Sequence, residues 1–176
     1  MSLYGPKHLA ESIRTVRKNT ILIAEDIPEK DYGYRAAPES RSVGEILMHI
    51  AVLSRFDRFL HDEERVRTLK GFDFGKLIRH SEAEERKSHS KKEIIELLLK
   101  GGESWSRWVE QLPESFLAEE VETAEGGRKS RFEMILGTKE HEIHHRAQLT
   151  VMERSLGVVP HLTRKRQAAL ENAKSS

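Results

Sequence analysis

Two short strings constrain the fold more than anything else in this chain: Ser42-Val43-Gly44-Glu45 and Ser90-Lys91-Lys92-Glu93. In each, the serine and the glutamate three residues on bond each other's backbone amides, and an apolar repeat of helical period follows. A third helix of this kind starts at Ser130-Arg131-Phe132-Glu133 and is ended by Gly157 and Pro160. Ahead of them all, Leu9, Ile13, Val16, Thr20, Ile23 and Ile27 recur in steps of four and three from Pro6 until Pro28 stops the pattern, which is a bundle seam. The Ser42 helix runs to about Glu64, and the Ser90 helix carries Ile94, Leu97, Leu98, Trp105, Trp108, Val109 and Leu112 before Pro113. Alternation of the strand type is nearly absent.

Four long helices with bounded ends predict an all-α four-helix bundle. Its connections are long. Residues 65–89 are charged and irregular, with Gly71, Phe72, Phe74 and Gly75 suggesting a loop plus a short helix, and residues 114–129 make a second crossing with a turn at Gly126-Gly127. Long crossovers let neighbouring helices run parallel, so a simple up-down-up-down order is not implied. The expected organisation is one bundle domain over residues 1–162 and a basic, then polar, tail over residues 163–176 that forms a short fraying helix.

Composition narrows the class. The chain has 176 residues with 30 basic and 29 acidic side chains, a net charge of +1 that favours neither nucleic acid nor a membrane surface as partner. A charged fraction of 34% and a mean hydropathy of −0.62 exclude a membrane span. With no cysteine, disulfides, thiolate ligands and a protein-borne thiol nucleophile are ruled out, leaving His, Asp and Glu as the strong metal ligands. No apolar run follows Met1-Ser2-Leu3-Tyr4-Gly5-Pro6-Lys7, so a signal peptide is not expected and the cytoplasm is the expected location.

Nine histidines are present, and three of them interrupt apolar stripes. In the last long helix the stripe Ile135, Leu149, Met152, Leu156 passes through Thr138, His141 or Glu142, and His145. In the second, Ile46, Leu53, Phe56 and Leu60 pass through His49 or Ile50. His141 and His145 are one turn apart, so their rings leave the same face and can share a cation, with His49 supplying a third nitrogen from another helix. The competing reading is three separate core histidines bonded to backbone or water. A shared cation satisfies several buried nitrogens at once. Three neutral imidazoles on a divalent ion leave a position for water or substrate, and zinc or nickel suits such a donor set.

These residues resemble the DinB/YfiT-like family, four-helix bundles with a three-histidine metal site. The likeness runs from about Leu9 to Pro160 and is carried by Ser42-Val43-Gly44-Glu45-Ile46-Leu47-Met48-His49-Ile50, by His141-Glu142-Ile143-His144-His145-Arg146-Ala147-Gln148-Leu149 and by the ending Leu156-Gly157-Val158-Val159-Pro160. The resemblance implies that His49, His141 and His145 are the metal ligands and His144 is not, and that the chain forms a homodimer. It departs from the family at Arg41, where tryptophan is common, and at Ala147, where glycine is. The function implied is a metal-dependent enzyme that transfers a low-molecular-weight thiol to a small electrophile, or hydrolyses a small substrate. The alternative is a non-catalytic metal-binding or damage-response interaction protein.

The remaining polar residues have plainer expectations. Glu45 closes its capping box, Glu142 is a solvent-side or helix-pairing charge, and Arg146 and Gln148 stand at a substrate mouth, a subunit interface or the plain surface. Gly101-Gly102 inside a helix marks a kink or a close helix approach.

Overall fold

The computed structural model describes residues 4–174, and in it seven helices and one small hairpin follow in the order α1 (Pro6–Asp26), α2 (Val43–Arg58), α3 (Phe74–Glu85), α4 (Lys91–Gln111), α5 (Glu114–Leu117), β1 (Glu120–Glu122), β2 (Arg128–Ser130), α6 (Arg131–Ser155) and α7 (His161–Lys174). The four long helices α1, α2, α4 and α6 make the bundle. Three of them begin on the expected caps: the hydroxyls of Ser42, Ser90 and Ser130 accept from the amides of Glu45, Glu93 and Glu133, whose carboxylates accept from the serine amides in return. At the other end of α6, Gly157 takes the left-handed conformation (φ 77°) that lets the Val158 amide turn back onto the Glu153 carbonyl at 2.8 Å.

α1 and α2 each pack against both α4 and α6. Lys91 at the start of α4 reaches the carbonyl of Ile27 at the end of α1, so these two run antiparallel, whereas Tyr4 meets Phe132 and Thr20 meets Glu142, so α1 and α6 run parallel. In the same way Asp57 meets Thr138 and His49 meets His141, so α2 and α6 run antiparallel, while α2 and α4 run parallel, with Arg58 over the Trp108 ring. The parallel neighbours are what the long crossovers permit. The first crossover contains α3, which packs on α2. The second is more ordered than a turn at Gly126-Gly127: β1 and β2 pair antiparallel, Gly126 sits at φ 85°, and the hairpin leads directly into the Ser130 cap. Among the described residues no helix is long and apolar enough to cross a membrane.

A small apolar cluster of Leu60, Leu69 and Val121 lies under the crossovers, and the core of the bundle itself falls into two apolar layers. One joins the C-terminal half of α1 and the N-terminal half of α4 to α2 and the end of α6, around Ile23, Leu47, Ile50, Leu98 and Leu149; the other joins the opposite ends around Leu9, Ile13, Trp105, Val109 and Ile135. Between the layers lies a polar one. Arg17 of α1, only 3% exposed, crosses it to the fully buried Glu142 of α6. The glycine pair in α4 makes room: a Cβ on Gly102 would lie 2.5 Å from the Arg17 Cγ, so the pair serves a close approach rather than a kink. At the margin of this layer, between α2 and α6, stand the histidines.

Candidate metal centre

His49 is placed by the capped start of α2, and His141 and His145 by successive turns of α6. The antiparallel packing of these helices brings all three imidazoles together. The His141 Nε2 lies 3.0 Å from the Nε2 of His49 and 3.0 Å from that of His145, and one nitrogen of each ring falls within 4.8 Å of the others. His145 is buried, His49 is half-buried and His141 is exposed, so the cluster has an inner wall and an open side. The stripe of α6 facing the core therefore runs through Glu142 and His145, with His141 at its edge. The stripe read from α2 also divides: Ile46 and Ile50 enter the core, whereas His49, Leu53 and Phe56 turn toward α3 and are only half-buried.

Partners on the far side of the rings fix which nitrogen carries hydrogen. The His49 Nδ1 donates to Glu85 Oε1 at 2.7 Å, and the His145 Nδ1 donates to Gln148 Oε1 at 2.9 Å. With hydrogen on Nδ1, each Nε2 presents a lone pair to the centre. Burial pushes the His145 imidazole down to about 4, a shift that the Gln148 bond opposes and the neighbouring rings reinforce; burial, then the rings of His49 and His144, lowers His141 too. The His141 Nε2 can donate to at most one of the two lone pairs that face it at 3.0 Å, so the cluster is short of hydrogens, and a cation would satisfy all three nitrogens. The donor set fits a divalent metal ion.

Glu85 is the member of this site that the sequence does not announce. It comes from the last turn of α3, 36 residues beyond His49, and is held by Arg41 Nε at 2.8 Å and Ser81 Oγ at 3.0 Å. Burial pushes its carboxyl up, but the hydrogen bonds from His49 and Arg41 and the charge of Arg41 prevail and hold it at about 2. A carboxylate behind a ligating histidine orients the ring and raises its basicity. Arg41, a departure from the family pattern, thus fastens the carboxylate, and Gln148, expected at a mouth, an interface or the surface, orients His145. Glu45 keeps to its capping box and binds Arg35. Glu142 takes the helix-pairing role: both its oxygens bind Arg17, and Thr20 donates to one of them at 2.8 Å. His144 is exposed and accepts from Gln148 outside the cluster.

Two cavities meet at the histidines. The larger, about 820 Å³, includes His145, Gln148, Arg35, Arg41, Arg86 and Glu45 in its lining; the smaller, about 490 Å³, includes His49 and His141 among apolar side chains of α2 and α3. Both lie in the size range of small-molecule sites.

The model of the DinB family matches residues 1–172. Among solved structures, the chain is similar to a DinB-like protein of Bacillus subtilis at 23% identity and a TM-score of 0.63, over 85% of this chain and 91% of that one. It is also similar to YfiT of Bacillus subtilis, described as a probable metal-dependent hydrolase with an unusual four-helix bundle topology, at 13% identity and a TM-score of 0.67, over 90% and 91%. A DinB-like protein of Bacillus cereus matches at 16% identity and a TM-score of 0.63, over 87% and 93%. At these identities the likeness is one of fold. No curated protein is similar to the sequence.

Proposed function

Since the chain belongs to the DinB family, we propose that it is a metal-dependent enzyme acting on a small molecule, with His49, His141 and His145 as the ligands of one divalent ion, zinc or nickel. The observation that carries this reading is the convergence of three Nε2 atoms, two of them on rings whose outer nitrogen is occupied, His49 by Glu85 and His145 by Gln148. An ion held there supplies Lewis acidity, which acidifies a water or a thiol and polarises an electrophile. The chain's own residues prepare the site: Glu85 and Gln148 hold two rings in the ligating tautomer, and the exposed edge at His141 leaves an approach from both cavities. The reaction we propose is transfer of a low-molecular-weight thiol to a small electrophile, or hydrolysis of a small substrate. The second is the chemistry named for YfiT.

Purified protein should carry about one divalent ion per chain. His145→Ala should lose it and His144→Ala should keep it; equal metal content in the two variants would overturn the ligand assignment. A screen of the metal-loaded protein against thiol and electrophile pairs and against aryl esters then separates transferase from hydrolase. We also propose a homodimer formed by α1 and α6, where Leu22, Ile143 and Val151 stand off the core seam and Val151 is 60% exposed. Ile21, which has the same look in sequence, is buried in the core and takes no part. Light scattering that returns a mass near 20.3 kDa at all micromolar concentrations would remove the dimer, and a dimer indifferent to Ile143→Glu would remove this interface.

A further inference from the structure

The smaller cavity is built for something apolar. Val52, Leu53 and Phe56 of α2, with Phe59 in the wider helical turn that follows it, form one wall, and Phe74 and Ile78 of α3 stand opposite, with the Phe56 and Phe74 rings stacked at 6.3 Å and 18°. Leu53 and Phe56 lie one and two turns beyond His49 on the same helical stripe, so the apolar wall continues straight from the histidine cluster. All four side chains of this wall are half-buried, and Ile78 is 52% exposed. A ligand that covered them would remove further apolar surface from water, a gain that the fold alone leaves unrealised beside the histidines. The larger cavity is of opposite character. Its arginines are matched one to one with carboxylates, Arg35 with Glu45, Arg41 with Glu85 and Arg86 with Glu82, and its lining offers charge and hydrogen bonds of both signs. Arg41, Glu82 and Glu85 border both cavities and separate them.

We infer that the substrate is a bipartite small molecule: an uncharged, ring-sized apolar group fills the α2–α3 cavity, a polar part occupies the larger one, and the reacting function joins them at the three histidines. The inference rests on the proposed metal centre and names the class of molecule it acts on. Apolar walls beside His49 and His141 give the preference for the ring. The four carboxylates of the lining, Glu63, Glu82, Glu84 and Glu85, outnumber its two arginines, Arg41 and Arg55, which disfavours an anionic tail in the same place.

Two hydroxamates test this on the zinc- or nickel-loaded protein: acetohydroxamate and benzohydroxamate carry the same metal-chelating head on a methyl or a phenyl group. Calorimetry should show the phenyl compound binding roughly tenfold or more tighter, since the ring alone gains apolar burial. In Leu53→Gln and in Ile78→Glu, the latter on an exposed position that spares the core, the preference should shrink to about twofold or less. Equal affinities in the wild type, or a preference that survives both substitutions, would overturn the inference. A second measurement needs no metal. In His145→Ala, millimolar indole should move the methyl resonances of Val52, Leu53 and Ile78, and resonances that stay in place would overturn the inference as well. Protein that holds no metal but shifts with indole would break the metal reading and keep the cavity; protein that holds metal and ignores the ring would do the reverse.

Discussion

On α6, Glu142 and His141 are neighbours in sequence and opposites in circumstance. Glu142 faces α1, where Arg17 gives it two hydrogen bonds at 2.9 and 3.0 Å and donates two more to the carbonyls of Leu98 and Ile50 at 3.0 and 3.2 Å. Every charge there is met by its complement. His141 faces α2, where its Nε2 meets those of His49 and His145 at 3.0 Å and can donate to at most one of them. Two polar clusters on adjacent residues thus share a layer of the bundle, one closed upon itself and one left short of donors. A closed cluster fixes how helices sit. An open one is chemistry held in readiness by that fixed frame.

The largest expected effect breaks the closed cluster. Arg17→Leu leaves Glu142 buried without its countercharge, and removing one partner of such a pair costs about 3–5 kcal/mol. Denaturant titration should show a loss of that order, while the fraction that remains folded binds metal as before. A loss below about 1 kcal/mol would mean that Glu142 finds other partners or takes up a proton, and the contrast between the clusters would weaken.

How much of this is legible in the sequence differs between the two. The helix starts are local chemistry, so Ser42, Ser90 and Ser130 announce them, and the spacing of His141 and His145 is set by a single helical turn. Gly101-Gly102 reads as a kink or a close approach, and nothing local decides between them or says that the approaching group is Arg17, because the pairing is made by packing across 85 residues. Glu85 is hidden for the same reason: one glutamate among many in a charged segment acquires its role only when α3 folds over α2. Leu53 and Phe56 read as core because apolar periodicity records which side is shielded from water and not what shields it. Here a cavity takes the place of a neighbouring helix.

A smaller effect sharpens the open cluster. Glu85→Gln keeps an oxygen for the His49 Nδ1 but removes the charge that raises the ring's basicity, and changes of this kind cost about 10–100-fold in metal affinity. Competition with a chromophoric chelator should place the variant in that range, and the metal-free form should melt lower as well, because Arg41 loses the carboxylate that its charge holds at about 2. An affinity equal to that of the wild type would show that His49 needs no carboxylate behind it.

The smallest effect concerns a third polar group that belongs wholly to neither case. Asp57 of α2 is 2% exposed; Thr138 donates to its Oδ1 at 2.6 Å, its Oδ2 makes no close hydrogen bond among the described residues, and Thr138 and the Trp105 indole together oppose the effect of burial. Burial pushes this carboxyl up from 3.8 to about 8, so it stays protonated at neutral pH and the half-satisfied site carries no bare charge. A folded value above the unfolded one means that the stabilisation is complete below about 3.8 and is lost as pH climbs toward 8. His145, pushed down from 6.5 to about 4, has the opposite sign, its contribution being lost as pH falls from 6.5 to 4. Above pH 6.5 its influence is flat, while Glu153, raised to about 7, falls in the same sense as Asp57. The difference between Asp57→Asn and wild type isolates the one group. In metal-free protein the variant should gain about 1 kcal/mol on the wild type between pH 6.5 and 8, because its amide has no proton to lose. Parallel stability curves over that interval would mean that Asp57 is ionised and partnered, and so belongs with Glu142 among the closed pairs.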